Sequence, residues 1–396
     1  MSLIGQTVTI IGAGVAGLAA ARALALRGAS VTVLEQADAI REVGAGLQIS
    51  PNGACVLRAL GLQDALNAVS MRADAVQLID GPTGDPVTRL DLARLRPGQG
   101  YHFLHRADLI DLLLKGATEA GVTLRLLSRA GSVDLSGQHP AVVLDGGERI
   151  ETPLLIGADG LHSRTRLALN GAEQPFFTHQ VAWRAVIPCE PGAAPVAEVH
   201  MGPRRHLVSY PLRGGSLRNI VAVEERDRWA EESWTLRDDP MDLRLAFAGF
   251  SPRVRGWLDR VEDPWLWGLF RHSVAQTWVK SMGQGGAALL GDAAHPTLPF
   301  LAQGASMGLE DAWVLTEALS RHDTPAAALA AYQAARKPRT TRIVAAANAN
   351  ARAFHLSGLP RLIGHTGLRL LGQISPGTML SRFDWLYDHD VTQDPA

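Results

Sequence analysis

The chain of 396 residues is 46% hydrophobic, so it can bury a large core, and its length predicts two or three domains, in series or interleaved. Its 38 Lys and Arg balance 39 Asp and Glu, which excludes a general basic attraction to nucleic acid or to anionic membranes. Cys55 and Cys189 form neither a CxxC pair nor a metal-ligand cluster. We therefore expect no metal site and no disulfide, and the composition indicates a reducing cytoplasm.

The N-terminal segment TVTIIGAGVAGLAAARALALRGASVTVLEQ predicts a βαβ unit. A buried strand (Thr7 to Ile11) leads into a glycine turn, an Ala- and Leu-rich helix to about Arg27, and a second strand that ends at Glu35. The run before Arg22 carries no charge, but its glycines and its missing basic flank argue against a signal peptide. No membrane span is expected.

The glycine turn has the spacing of a dinucleotide-binding site. Gly12 permits the tight turn, Gly14 lets the backbone approach a pyrophosphate, and Gly17 lets helix and strand pack closely. Ala16 lies in the same turn, and the helix N-terminus faces the phosphates with free N–H groups. Glu35 is placed to accept from a ribose hydroxyl and would repel a 2′-phosphate, which favours FAD or NAD over NADP.

The following stretch carries one cation in an unusual position. A glycine-rich loop that includes Gln48 precedes a short helix (about 54–60), and a hairpin covers about 75–90. Arg106 begins a helix predicted from about Ala107 to Ala120, where a cation opposes the helix dipole. Either an anionic or flavin partner offsets this cost, or Arg106 forms a surface ion pair with Asp108.

Asp159 lies in a turn of the segment TPLLIGADGLHSRTR, between a buried strand and a helix capped by Ser163. Paired strands (141–144 and 149–151) precede it. Asp159 is either a simple turn residue or a second acidic contact to the dinucleotide.

Residues 183–223 alternate in the manner of an antiparallel sheet, without interleaved helices. A hairpin around Gly214-Gly215 places His206, Val208 and Tyr210 on one face. These polar side chains are either buried residues with local partners or the wall of a pocket.

The segment GDAAHPTLPFLAQGASMGLEDA, from Gly291, predicts a rigid turn ahead of a helix. The strand before it covers about 287–290, and the helix runs from Gln303 to about Arg321, so its N–H groups favour an anionic or electron-rich group in the turn. His295 is interpreted as a structural histidine, because no second metal ligand stands at the required spacing. Helices are also predicted over 239–258 and 325–354, with a strand over 265–272 and an irregular tail to Ala396.

In order and spacing, these motifs resemble the single-component, group A FAD-dependent aromatic hydroxylases, such as salicylate hydroxylase and 3-hydroxybenzoate 6-hydroxylase. The resemblance spans about residues 5–350 and rests on GAGVAGL with Glu35, GAGLQISPNG, HRADL, GADGLHSRTR, WRA, YPLRGG and GDAAHPTLPFLAQGASMGLEDA. It implies an α/β fold: a Rossmann-like FAD-binding domain of the glutathione reductase and p-hydroxybenzoate hydroxylase type, an interleaved antiparallel-sheet substrate domain and C-terminal helices. The expected domains are 1–73, 100–175 and 276–322 for FAD, 74–99 and 176–275 for substrate, and 323–396 for the helical segment.

The resemblance also implies a set of FAD contacts. The ADP half would be held by Gly12, Gly14, Ala16, Gly17 and Glu35, with Asp159 near the pyrophosphate and nicotinamide and Asp292 on the ribityl chain. Arg106 and Gln48 would lie on the flavin side, Pro299 beside the carbon that bears a hydroperoxide, and Gly304, Ala305 and Ser306 against the isoalloxazine ring. Ser306 stands where many relatives carry Asn.

The implied reaction uses NADH or NADPH to reduce FAD, after which O₂ forms a flavin hydroperoxide that hydroxylates an electron-rich ring. By resemblance, His206 would activate the substrate hydroxyl, and Tyr210 and Gln303 would orient it. The expected substrate is a small phenolic or hydroxy-aromatic acid. A larger polycyclic natural product, or a non-enzymatic redox sensor, remains an alternative. No second convincing GxGxxG follows, so NAD(P)H is expected to bind transiently to a monomer or homodimer.

Overall fold

The computed structural model describes residues 2–40, 45–227, 236–283 and 285–393. Residues 41–44 of the predicted glycine-rich loop, and Gln284, lie outside these ranges. The strands are β1 Thr7–Ile11, β2 Ser30–Leu34, β3 Gly46–Ile49, β4 Met71–Arg72, β5 Ala75–Asp80, β6 Pro86–Asp91, β7 His102–His105, β8 Thr123–Arg125, β9 Ala130–Asp134, β10 Ala141–Leu144, β11 Arg149–Glu151, β12 Leu154–Gly157, β13 Phe176–Pro188, β14 Val196–Gly202, β15 Arg205–Leu212, β16 Leu217–Glu225, β17 Trp265–Arg271, β18 Val279–Met282 and β19 Gly285–Leu289.

The α-helices alternate with these strands mainly in the first third and follow them at the end of the chain. They are α1 Val15–Ala25, α2 Pro51–Ala59, α3 Gln63–Val69, α4 Leu92–Leu95, α5 Arg106–Glu119, α6 Arg164–Asn170, α7 Pro240–Ala246, α8 Pro252–Leu258, α9 Gly304–Arg321, α10 Pro325–Phe354, α11 Gly358–Ile374, α12 Pro376–Ser381 and α13 Asp384–Tyr387.

A six-stranded sheet in the order β18-β19-β12-β1-β2-β8 contains the predicted βαβ unit. Its strands are parallel except at the β18 edge, and β1, β12 and β19 are almost wholly buried. Such strands read as continuous apolar runs because helices or other elements cover both faces of the sheet. Helix α1 packs against α5 and α9, and Gly308 of α9 lies directly against Ala16 of α1.

A seven-stranded sheet in the order β17-β13-β16-β15-β14-β5-β6 forms the second layer. All its neighbouring pairs are antiparallel except β14 with β5. Its strands come from two separate stretches, 75–91 and 176–271, so the chain leaves the first sheet twice to build the second. The predicted α/β fold with an interleaved antiparallel sheet is confirmed.

Two predictions of secondary structure were wrong. The helix expected over 239–258 is divided into α7 and α8, because Ser251-Pro252 starts a new helix with proline in its first turn. The tail expected to be irregular from Gly358 is helical over α11, α12 and α13. One of its glycines serves close packing: a Cβ on Gly372 of α11 would lie 2.3 Å from the Thr88 hydroxyl on β6.

Candidate active site

A cavity of about 930 Å³ opens at the carboxyl ends of β1, β2 and β12, where open α/β sheets bind ligands. We call it the sheet-end cavity, and Gly12, Gly14, Glu35 and Asp159 all line it. A Cβ on Gly12 would lie 2.4 Å from the Ala158 carbonyl oxygen, and the Gly12 φ of +100° also requires glycine. A Cβ on Gly14 would meet no protein atom within 4 Å. Gly12 thus serves the fold, whereas Gly14 leaves open space for a ligand.

The end of β2 presents the Glu35 carboxylate to the same turn. Its Oε2 accepts from the Ala13 amide at 2.9 Å, and its Oε1 accepts from the Ala37 amide at 3.0 Å. Gly17, by contrast, touches no cavity: a Cβ there would lie 2.0 Å from the Gly12 carbonyl oxygen. Gly17 has the packing role that the motif predicts for it.

Asp159 both caps a helix and faces the sheet-end cavity. Its carboxylate accepts from the Ser163 hydroxyl at 2.5 Å and from the amides of Arg164 and Thr165 at 2.8 and 3.3 Å. Burial raises the pKa of Asp159, and these hydrogen bonds partly oppose that rise. The two alternatives for Asp159, a turn residue and an acidic contact to the dinucleotide, are therefore compatible.

A second cavity of about 660 Å³, the inner cavity, lies between the Gly291–Gln303 turn and the face of the seven-stranded sheet. It adjoins the sheet-end cavity, since Gly14, Arg106 and Asp292 line both. Desolvation of the Asp292 carboxyl raises its pKa, while the charges of His295 and Arg106 partly oppose this rise. The carboxylate of Asp108 accepts from Arg213 at 2.7 and 3.0 Å. Asp108 is thus engaged by Arg213, and Arg106 lines both cavities.

Helix α9 begins at the inner cavity without a side-chain cap. A short 3-10 turn, Pro299–Leu301, leads into Ala302, whose φ of +52° is uncommon for a residue with a side chain. Pro299, Gly304 and Ala305 all line the inner cavity, and a Cβ on Gly304 would make only one ordinary contact. The uncapped N–H groups of an 18-residue helix thus face open space.

Two predicted site residues have their side chains engaged elsewhere. The Gln303 amide donates to the Ser50 hydroxyl at 2.9 Å and accepts from Asn52 at 3.1 Å, and the residue is only 1% exposed. The Ser306 hydroxyl lies 2.9 Å from that of Ser50, and Ser306 lines neither cavity. Both side chains fasten α9 to the start of α2. Ser306 thus lines neither cavity, whereas Gln303 lines the inner cavity with its amide bonded to Ser50 and Asn52. Their roles toward cofactor and substrate stay predictions.

The opposite wall of the inner cavity is the face of β15 that carries His206, Val208 and Tyr210, as the alternation predicted. Tyr210 stacks on Phe103 with ring centroids 5.0 Å apart. Burial raises the pKa of the Tyr210 phenol above its usual range, and both Arg184 and Gln48 oppose the rise. Gln48 also accepts from the Tyr101 hydroxyl at 2.7 Å, so it lies among the phenols of this wall.

His206 is nearly fully buried, and its Nδ1 lies 2.7 Å from Nε2 of His355. The rings of Phe300 and Phe354 pack on it at centroid distances of 5.7 and 5.2 Å. Burial lowers the pKa of His206 well below its usual range, and the charge of His355 adds to this. Near neutral pH the imidazole is therefore uncharged and can accept a proton at one nitrogen. His355 was missed because it follows a long helix, 149 residues away in sequence.

The C-terminal helices close the inner cavity. Its far wall includes Phe354 from α10, Leu368 from α11, Leu380 from α12 and Tyr387 from α13. Sequence reasoning assigned none of these side chains to the site, and it treated the tail that carries the last three of them as irregular. A sequence signal existed in the spacing of apolar residues within GLPRLIGHTGLRLLGQI, but the glycines obscured it.

The sequence matches the family described as FAD binding domain over residues 6–347. The chain belongs to this FAD-binding family. It is 34% identical over 401 residues to 3-hydroxybenzoate 6-hydroxylase of Polaromonas naphthalenivorans, covering 97% of this chain and 96% of the relative. It is 32% identical over 393 residues, with the same coverage, to 3-amino-4-hydroxybenzoate 2-monooxygenase of Streptomyces platensis. The predicted resemblance to FAD-dependent aromatic hydroxylases is thereby confirmed.

The fold of this FAD-binding family member is similar to a crystal structure of Klebsiella pneumoniae HpxO complexed with FAD and uric acid. The TM-score is 0.82 at 25% identity, covering 95% of this chain and 97% of that one. The cavities fit FAD: Gly14 leaves space beside the turn, α1 and α9 both begin without side-chain caps, and Glu35 directly follows β2.

Beneath the Gly291 turn lies a buried ion network that sequence reasoning also missed. Asp311 accepts from His295 at 2.5 Å, from the Gly291 amide at 3.0 Å and from Arg336 at 2.8 Å. Arg336 also pairs with Glu310 at 2.5 Å, and all these side chains are at most 1% exposed. His295 therefore has the structural role expected of it. The network ties the turn that carries Asp292 to α9 and α10.

Within the described ranges, no helix has the length and apolarity needed to cross a bilayer. Among those same residues, His, Cys, Asp and Glu do not form any group of three or more that could hold a metal ion.

Proposed function

We propose that this family member is an FAD-dependent monooxygenase that uses NAD(P)H and O₂ to hydroxylate a small hydroxy-aromatic acid. One observation carries the proposal: a single cavity has the uncapped start of α9 on one side and His206 with Tyr210 on the other. The substrates named for the two relatives, 3-hydroxybenzoate and 3-amino-4-hydroxybenzoate, are both hydroxybenzoates.

The cofactor would extend through both cavities. Gly12, Gly14, Ala16 and Glu35 would hold its ADP half at the end of the six-stranded sheet, with Gly17 maintaining the turn by packing and Asp159 beside them. Asp292, Arg106, Gly304 and Ala305 would hold the flavin half, with Pro299 and Gln48 at the border with substrate. Support comes from the positions of these residues, Gly17 excepted, along the two cavity linings.

When bound, FAD supplies electron transfer from NAD(P)H and the activation of O₂. The balanced reaction converts the phenol, NAD(P)H, a proton and O₂ into a dihydroxy-aromatic product, NAD(P)⁺ and water. The protein has to hold the ring, exclude water and remove the phenolic proton, because a phenolate is the more electron-rich nucleophile. His206 is placed to accept this proton, and Tyr210 to orient the oxygen.

The wall around His206 keeps the site dry. Phe300 and Phe354 cover its ring, and the sheet contributes Val199, Val208 and Val223. Exclusion of water strengthens the electrostatic contacts inside the cavity and limits loss of activated oxygen to solvent. We further propose that the protein acts in the cytoplasm as a monomer or homodimer.

The test is NADH and NADPH oxidation by the FAD-loaded protein with 3-hydroxybenzoate, 3-amino-4-hydroxybenzoate, salicylate and hydroxynicotinates, with product mass analysis under isotopically labelled O₂. Stimulated oxidation with incorporation of one labelled oxygen atom supports the proposal. Peroxide formation alone indicates a substrate of another shape, such as a polycyclic compound. Reduced protein that does not consume O₂ contradicts a monooxygenase and favours a redox sensor. The variant His206→Gln should keep FAD but lose about 100-fold in turnover.

A further inference from the structure

Three side chains form a continuous line from the inner cavity to the protein surface. His206 Nδ1 lies 2.7 Å from His355 Nε2, and His355 Nδ1 lies 2.6 Å from Glu225 Oε1. The histidines are 2% and 7% exposed, whereas 32% of the Glu225 side chain is accessible to solvent. His206 lies on β15, His355 directly follows α10, and Glu225 lies on β16. The three side chains therefore come together only in the folded protein.

The carboxylate at one end fixes the proton positions along this line. A carboxylate only accepts, so His355 donates to Glu225 through Nδ1. Burial lowers the pKa of His355, although its bond to Glu225 opposes this, so near neutral pH its Nε2 carries a lone pair. His206 must then donate through Nδ1. Its Nε2 is left as an acceptor on the side of the cavity.

The charges near this line are carried by the two adjoining strands and the turn between β14 and β15. Arg204 lies 3.5 Å from Glu225, and the charge of Arg205 lowers the pKa of His355. Glu224 pairs with Arg205 and Arg226, at 3.3 and 3.4 Å. The side chains that pack on His206 from the other elements, Phe300 and Phe354, are neutral. Glu225 is therefore the acid in direct contact with His355.

We propose that His355 and Glu225 form a proton relay for His206, selecting its tautomer and carrying the substrate proton to solvent. This inference rests on the proposed function, in which His206 accepts the phenolic proton. The O–H bond of the phenol breaks, its electron pair stays on oxygen, and the proton binds His206 Nε2. The Nδ1 proton of His206 moves to His355 Nε2, and the Nδ1 proton of His355 passes to Glu225 and then to water. The reverse sequence returns a proton to the product oxygen and restores both tautomers.

The relay explains how a histidine buried among aromatic rings can serve as a base. Protonated His206 is disfavoured at this site, since burial penalises the charged form. Transfer along the line leaves His206 neutral once the proton has reached Glu225. His355 and Glu225 are thus positioning residues that act through His206.

The experiment compares His355→Gln and Glu225→Gln with the unaltered protein, using the substrate identified by the panel above. Gln at 225 can still accept a hydrogen bond from His355 but cannot carry the proton onward. We expect kcat at neutral pH to fall about tenfold in each variant, with KM within about twofold, and the pH profile to move to higher pH. Asp227→Asn is the matched control, because Asp227 lies 3.9 Å from Arg204 at the same edge and is 94% exposed. Its kcat and pH profile should not change.

A second readout does not require turnover. Bound 4-nitrophenol reports its own ionisation by absorbance, and both variants should require a higher pH to ionise it than the unaltered protein does. An unchanged pH profile and unchanged nitrophenol ionisation in both variants would overturn the relay. A rise in KM with an unchanged profile would also overturn it, since that result indicates a purely structural role. If His206→Gln has no effect either, the proposed function fails, and not the relay alone.

Discussion

Replacing Arg336 by Met should lower the free energy of unfolding by about 3 kcal/mol. Arg336 is 1% exposed and lies between two wholly buried carboxylates, those of Glu310 and Asp311. Met fills much of the same volume but brings no charge, so both carboxylates lose a cationic partner.

The size of this loss depends on the hydrogen-bond and ion-pair partners that each carboxylate retains in the variant. Removing one partner of a buried ion pair costs about 3 to 5 kcal/mol, because the remaining charge stays desolvated. Glu310 retains Arg339 at 2.8 Å and Asn52 at 2.6 Å, and Asp311 retains His295 and the Gly291 amide. The loss should therefore fall at the lower end of that range. FAD should also dissociate more readily, since the network holds the turn that carries Asp292.

Urea unfolding of the FAD-loaded protein, followed by tryptophan fluorescence, measures the difference. Arg321→Met is the matched control. Arg321 pairs with Glu317 at 2.7 Å, both residues lying on α9, but 42% of the Arg321 side chain is exposed. An exposed pair of this kind contributes about 0.5 kcal/mol or less. Equal losses in the two variants would refute the view that the buried network fastens α9 to α10.

Gly14→Ala should change the unfolding free energy of the apoprotein by no more than about 0.5 kcal/mol but should weaken FAD binding. Gly12→Ala should instead impair folding itself. Urea titration measures the change in stability, and equilibrium dialysis measures the change in FAD binding. Ser306→Ala should cost about 1 kcal/mol of stability with kcat and KM unchanged, and a selective loss of activity would contradict the position assigned to its hydroxyl. Burial raises the pKa of Glu198, but hydrogen bonds from His200 and Arg253 lower it by more. The net effect is a pKa that falls from 4.5 to about 2. This stabilisation is present above pH 4.5 and is lost as the pH falls toward 2, so Glu198→Gln should remove about 3 kcal/mol at pH 7 and little at pH 2, as acid titrations of stability would reveal.

The parts of the site that could be predicted from sequence are those fixed by local geometry. The glycine turn after β1 follows from strand, turn and helix spacing over a few residues, and β1 was predicted with its observed bounds. The shared face of His206 and Tyr210 follows from the two-residue period of a strand. Neither prediction needed to know what packs against these elements.

The residues that were missed, and the side-chain partners that were not foreseen, depend on contacts between distant elements. The start of α9 was predicted correctly, but the direction of Gln303 and Ser306 depends on α2, which reaches them through Ser50 and Asn52. Glu310 and Asp311 looked like ordinary helix residues, because the cation that makes their burial possible lies on α10. Two adjacent acids in the otherwise apolar stretch 307–315 of α9 were the available signal, since such acids are rarely buried without partners.

The match to the FAD-binding family ends at residue 347, yet much of the substrate wall comes after it. Phe354, His355, Leu368 and Leu380 all follow that point; three of them line the inner cavity, and His355 contacts His206 there. The glycine turn, Glu35 and the Gly291 turn, which would hold the cofactor, all precede it. Family membership therefore identifies the cofactor more firmly than the substrate. Substitutions in α11 and α12 should change which ring is accepted without disturbing the contacts to the ADP half of FAD, because these helices line the inner cavity and do not line the sheet-end cavity.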